Sequence, residues 1–281
     1  MINTDFFITP DNWSFAGIIL SVLVIAAYLL FLKTKTSQKA YFIVTVTLLY
    51  VSFGSPIALL RDYGLHSLTM LQHIVLLMIA PILFLKSIPS NTILFSEKFK
   101  LNILQQPKNY YLMFWWLSAV MMWGGNFLSA GILSAETGTA ICGITATKDS
   151  WITAIPESLI LSLLFIAGIL FALPVFNPVK SKRIAPLKSV IYLFTACVSC
   201  SLLGLYVAFS ASTDTLNSSL TAFTTLRSPV PLTLRADQEL AGMLMWVPGC
   251  ILYVLASVSI LLSWYEENPV EKPETAIHTA K

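Results

Sequence analysis

Charge is what this sequence has least of. Of 281 residues only 11% are charged while 56% are hydrophobic, too few ionic groups to clothe a soluble domain, so the solvent for most of the chain is lipid. Histidine and cysteine are scarce as well, three and four residues, and a single deeply placed histidine argues against a Ser-His-Asp hydrolase. No Walker loop, dinucleotide fingerprint, G-x-S-x-G elbow or H-E-x-x-H helix is present, and no inverted repeat points to a transporter. The expectation is a protein that is not an enzyme. Nucleic acid is not an expected partner either, because no basic patch interleaved with aromatics lies outside the apolar runs. The first twelve residues hold Asp5 and Asp11 but no Lys or Arg, unlike the basic start of a signal peptide, so the first span is expected to be retained.

What the chain has is long apolar runs. Seven can be read, over residues 13–32, 41–60, 67–85, 111–133, 155–176, 187–209 and 241–264, each about the 20 residues that a membrane-spanning helix needs. They lack the ten-residue alternation of a membrane barrel, so the expected fold is an all-α polytopic bundle over residues 1–265, with a polar, disordered tail at 266–281. Lys33, Lys35 and Lys39, then Lys86, Lys98, Lys100 and Lys108, then Lys180, Lys182, Arg183 and Lys188 fall in alternate connectors. The other connectors carry only Arg61, Lys148, Arg227 and Arg235. By the positive-inside rule the first set is cytoplasmic, which puts the amino terminus outside and the tail inside.

The third run, LHSLTMLQHIVLLMIAPILFLKSIP, stands out. His66, Met70 and His73 are spaced by four and then three, so all three share one helical face. Two readings stand side by side: hydrogen bonds to neighbouring helices, or a metal or cofactor surface, since ionisable groups inside a membrane are costly. Under the expected topology this face lies in the outer half, where Glu157 after Pro156, Asn126 after Met121 and Met122, and Asp237, Gln238 and Glu239 ahead of Met243 and Met245 also gather. As first-turn residues, Glu157, Asp237 and Glu239 suit the helix dipole of their own helices. The seventh run carries Pro248 and Gly249, a candidate kink, and Pro81 would bend the third similarly. Cys142 falls in an outer loop. Cys197 and Cys200 form a C-x-x-C one helical turn apart, which reads better as packing than as a thiolate pair for Cu(I), because burial favours the neutral thiol.

Two segments, SLTMLQHIVLLMIAPILFL and ADQELAGMLMWVPG, together with the preceding YVSFGSPIALL, resemble the CtaG-like cytochrome c oxidase assembly factors, a multi-span bacterial family linked to caa-type oxidases. The resemblance covers about residues 13–265 and implies a plasma-membrane (inner-membrane) protein that assists oxidase assembly, handling copper at the outer face. Met70, Gln72, His73, Asp237, Gln238, Met245 and Trp246 match the family pattern. Thr69 stands where members usually carry a histidine, MMWGGNF where a tryptophan-histidine pair is common, and Glu157 where a further histidine is common. The sparser donor set this leaves is His73 and Met70, with His66 or Met245, for Cu(I). Gln72, Asp237, Gln238 and Glu157 would then orient the site or contact partners, which are oxidase subunits or other copper chaperones within the lipid bilayer. Competing readings are a scaffold that binds no metal, a transporter of copper or another small solute, and a haem protein with His73 as axial ligand.

Overall fold

A computed structural model describes residues 9–32, 34–58, 65–89, 110–138, 140–210 and 233–267. Those residues form seven long helices and no strand: α1 (Phe15–Phe31), α2 (Thr36–Gly54), α3 (His66–Ser87, in three consecutive segments), α4 (Tyr110–Thr137), α5 (Glu157–Phe176), α6 (Pro186–Phe209) and α7 (Leu234–Glu267). Each expected apolar run coincides with one helix. Five of them, α3 to α7, are long and apolar enough to cross a membrane. At 17 residues α1 is apolar but reaches only about 26 Å, just short of a hydrocarbon core, and α2 is diluted by Gln38, Lys39 and three threonines. Residues 268–281, including His278 and most of the expected tail, lie outside the described residues, as do Lys33, Arg61, Lys98, Lys100, Lys108, Arg227 and most of the loop before α7.

Two boundaries differ from the expected ones for identifiable reasons. Helix α2 stops at Gly54 because Ser55 precedes Pro56, and the residue before a proline is driven to extended backbone, here ψ 164°. Helix α7 begins seven residues before its apolar run, at Leu234, and takes Asp237 and Gln238 into the bundle. It continues unbroken through Pro248.

Helix α3 is the axle. It packs against α2, α4, α5 and α7, and most of its side chains are buried. Its middle, Val75–Ile79, is a π-helical turn in which the Ala80 N–H reaches back to the Val75 carbonyl. Pro81 follows this turn, and without an N–H it cannot supply the Leu77 carbonyl with its usual donor one turn on. That carbonyl and the Pro81 ring lie so close to Gly168 of α5 that a Cβ there would collide with both. On the other side α6 and α7 cross backbone to backbone, a Cβ on Gly242 falling 2.5 Å from the Gly204 carbonyl and 2.7 Å from Ala208. A smaller cluster ties α1 and α2 to the end of α3: Tyr28 stacks on Phe42 and donates its hydroxyl to the Ser87 carbonyl at 2.6 Å. Large apolar side chains face outward along α1 and α7, among them Leu20, Leu23, Leu30, Val254, Leu255 and Leu262, as lipid requires.

Candidate functional site

Helix α3 starts without a side-chain cap of its own, since Leu65 has none to offer. The missing cap comes from α7. One carboxyl oxygen of Asp237 accepts the His66 N–H at 2.6 Å; the other accepts the Ser67 N–H at 3.2 Å and, in a very short contact, the Ser67 hydroxyl. Asp237 lies in the first turn of its own helix, as the sequence suggests, and also closes the first turn of another one, where the dipole of α3 favours its charge. Its other neighbour, Gln238, donates to Ser210 at 3.0 Å.

That cap fixes His66, whose ring is sealed from solvent. Its Nε2 lies 3.4 Å from the Cys142 thiol, and its Nδ1 has no hydrogen-bond partner. Cys142 is held by a two-residue turn: Ile141 and Ile144 exchange both backbone hydrogen bonds, and Cys142 and Gly143 take positive φ of 52° and 73°, the signature of a tight mirror-image turn. Glycine tolerates that conformation freely and cysteine does not, so the turn holds this thiol at a local cost. Tyr206 clamps the turn by donating to the Cys142 carbonyl at 3.1 Å, and the side chains of Ser210 and Gln238 touch the thiol. Burial pushes the thiol up to about 11, so it carries its proton at neutral pH.

Below this pair the polar face continues. Met70 is fully buried one turn down, and His73 a further turn down places its Nε2 3.4 Å from the Ser129 hydroxyl of α4. Asn126, one turn from Ser129 on the same face of α4, is buried with both amide atoms unpartnered; Thr69 Oγ1 and Gln72 Oε1 on α3 are likewise unpartnered. The Gln72 amide nitrogen holds the Ser52 carbonyl of α2 at 3.1 Å. Buried polar atoms are nearly always paired, so five such orphans in one half of the bundle, His66 Nδ1 included, are a concentration of unmet hydrogen-bonding capacity, with Thr34, Tyr50 and Trp115 holding others elsewhere.

The residues named from sequence are thus divided. His66 and His73, about 10 Å apart along the helix, take different partners. Among the described residues no three or more His, Cys, Asp or Glu side chains form a metal-ligating group. Met245 is buried at the α6–α7 interface, where its carbonyl accepts from Cys200 at 3.2 Å. Glu157 is the first residue of α5, partly exposed. Cys197 and Cys200 do not act as a pair: Cys197 meets Cys250 of α7 at 2.9 Å. Sequence reasoning missed Cys142, Ser67 and Ser129, which reach the site from positions without a local pattern.

The fold and this sealed cluster define a polytopic helical membrane protein with a histidine, thiol and carboxyl site built where three distant segments meet. A family model described as cytochrome c oxidase caa3 assembly factor (Caa3_CtaG) matches residues 26–267. The chain belongs to that family, and its role is in cytochrome c oxidase assembly. No curated protein and no solved structure matches it.

Proposed function

We propose that this assembly factor carries copper as Cu(I) cargo on the way to the oxidase, at the outer face of a bacterial plasma membrane, without catalysing a reaction. The observation that supports this most directly is the buried contact between His66 Nε2 and the Cys142 thiol, with the fully buried Met70 thioether one turn deeper. One imidazole, one thiol and one thioether make a soft, low-coordination donor set, which favours Cu(I) over Cu(II) or zinc. Cargo loading converts the thiol to a copper thiolate and releases its proton, so the ion enters as Cu⁺ and one H⁺ leaves. Asp237 positions His66 by fixing the helix start, and His73 with Met70 offers a second, deeper stop. Oxidase subunits or other copper chaperones would supply and receive the ion.

The test is anaerobic Cu(I) loading of the purified protein followed by metal analysis. About one copper per chain is expected, falling at least tenfold in His66→Ala and in Cys142→Ser, with a smaller loss in His73→Ala. The backbone N–H that Asp237 caps survives in each variant, so the cap on α3 is kept, and melting curves verify that each variant is folded. A second reading is a scaffold for oxidase subunits that binds no metal; among the described residues no three His, Cys, Asp or Glu side chains come together. Wild-type protein that retains no copper while still co-purifying with oxidase subunits would establish it.

A further inference from the structure

The opposite end of the bundle holds a cavity of about 730 Å³, framed by the start of α2, the ends of α3, α5 and α7, and the start of α6. Three cations line it, Lys86, Lys180 and Arg183, against one carboxylate, Glu267. Glu267 is already engaged with Lys180 at 2.5 Å in an exposed pair. Lys86 meets no carboxylate among the described residues; its ammonium lies 5.9 Å from the Tyr41 ring centre and 5.7 Å from that of Phe176, facing two aromatic rings in place of a counter-ion. Arg183 is anchored through its Nε to the Asn177 carbonyl at 2.7 Å. The start of α6 adds a partial positive charge, because its N-cap, Ala185, has no side-chain cap to give. Between these charges Leu85, Val175, Phe176, Ile260 and Trp264 give the wall an apolar part, with Gln38, Ser189, Ser259 and Ser263 lining the rest.

A cation-lined mouth over an apolar wall, at the end of a membrane bundle, matches a phosphate joined to a hydrocarbon chain. We propose that this cavity binds the headgroup of an anionic phospholipid, its phosphate between Lys86 and Arg183 and its acyl chains against the wall. Outward-facing Leu261 and Leu262 extend the apolar surface on α7 beside Ile260. Of the two carriers of this chemistry, lipid and free phosphate, the apolar wall selects lipid. The site does not depend on copper and stands or falls apart from the cargo reading.

The experiment is native mass spectrometry of the full chain, delipidated in detergent and titrated with phosphatidylglycerol or phosphatidylcholine, with inorganic phosphate as competitor. Phosphatidylglycerol is expected to bind at least tenfold more tightly than phosphatidylcholine. Lys86→Gln and Arg183→Gln should each weaken it about fivefold. Lys148→Gln, at the other end of the bundle, should leave it unchanged, and melting curves verify that each variant is folded. Equal binding of the two lipids, retention of preference in the Lys86→Gln/Arg183→Gln double variant, or displacement of the lipid by inorganic phosphate at equal concentration would overturn the proposal.

Discussion

The two ends of this bundle treat polar groups in opposite ways. At the end where α3 and α7 begin, charge and hydrogen-bonding capacity are drawn inward: Asp237, Gln238, His66 and His73 are all at most 3% exposed. At the other end Lys35, Lys39, Lys86, Lys180, Lys182, Arg183 and Lys188 stay at the periphery, and an open cavity replaces the sealed core. The contrast teaches what each is for. Inward polar groups have few neighbours, so geometry decides what they can hold; peripheral cations are hydrated and act through summed charge.

The largest expected effect tests the sealed end. Asp237→Ala leaves two backbone amides and a serine hydroxyl without their acceptor, and should lower stability by about 3 to 5 kcal/mol, read from denaturant titration in detergent. Asp237→Asn, which keeps an acceptor oxygen, should recover a large part. Next comes the pH dependence of copper loading. The thiol stays protonated until about 11 and loading expels that proton, so Cu(I) affinity should rise about tenfold per pH unit between pH 6 and 8. Cys142→Ser should flatten that slope, and an unchanged slope would remove the thiol from the site. The smallest effect belongs to the open end: Lys180→Ala breaks an ion pair whose side chains are 74% and 60% exposed, and should leave the melting midpoint unchanged.

The helices were legible in the sequence because twenty apolar residues in lipid leave the backbone no alternative to bonding within its own helix. The shared face of His66, Met70 and His73 was legible too, since helical spacing is local. What spacing cannot carry is contact between segments. Cys142 meets His66 across 76 residues of chain, and nothing in its own loop advertises that. Asp237 keeps its local place in the first turn of α7 and takes a distant partner as well, which its own helix does not advertise. The C-x-x-C residues show the same limit: one turn of spacing aligns Cys197 with Cys200 on one helix and reads as packing, but what each packs against is set by crossing helices, which bring Cys197 to Cys250 and Cys200 to the Met245 carbonyl. The early start of α7 was hidden because Asp237 and Gln238 read as the polar border of an apolar run until their partners on the bundle are known.

The cap that Asp237 places on α3 has a consequence in time. The donor and acceptor stand 171 residues apart, so a ribosome adding about 5 to 20 residues per second finishes the third helix, at Ser87, roughly 8 to 30 seconds before it makes the residue that closes its first turn. Throughout that interval the His66 and Ser67 amides have no Asp237 to bond. The helix start is closed only when the last helix arrives, so a chain released early would carry the third span without its cap.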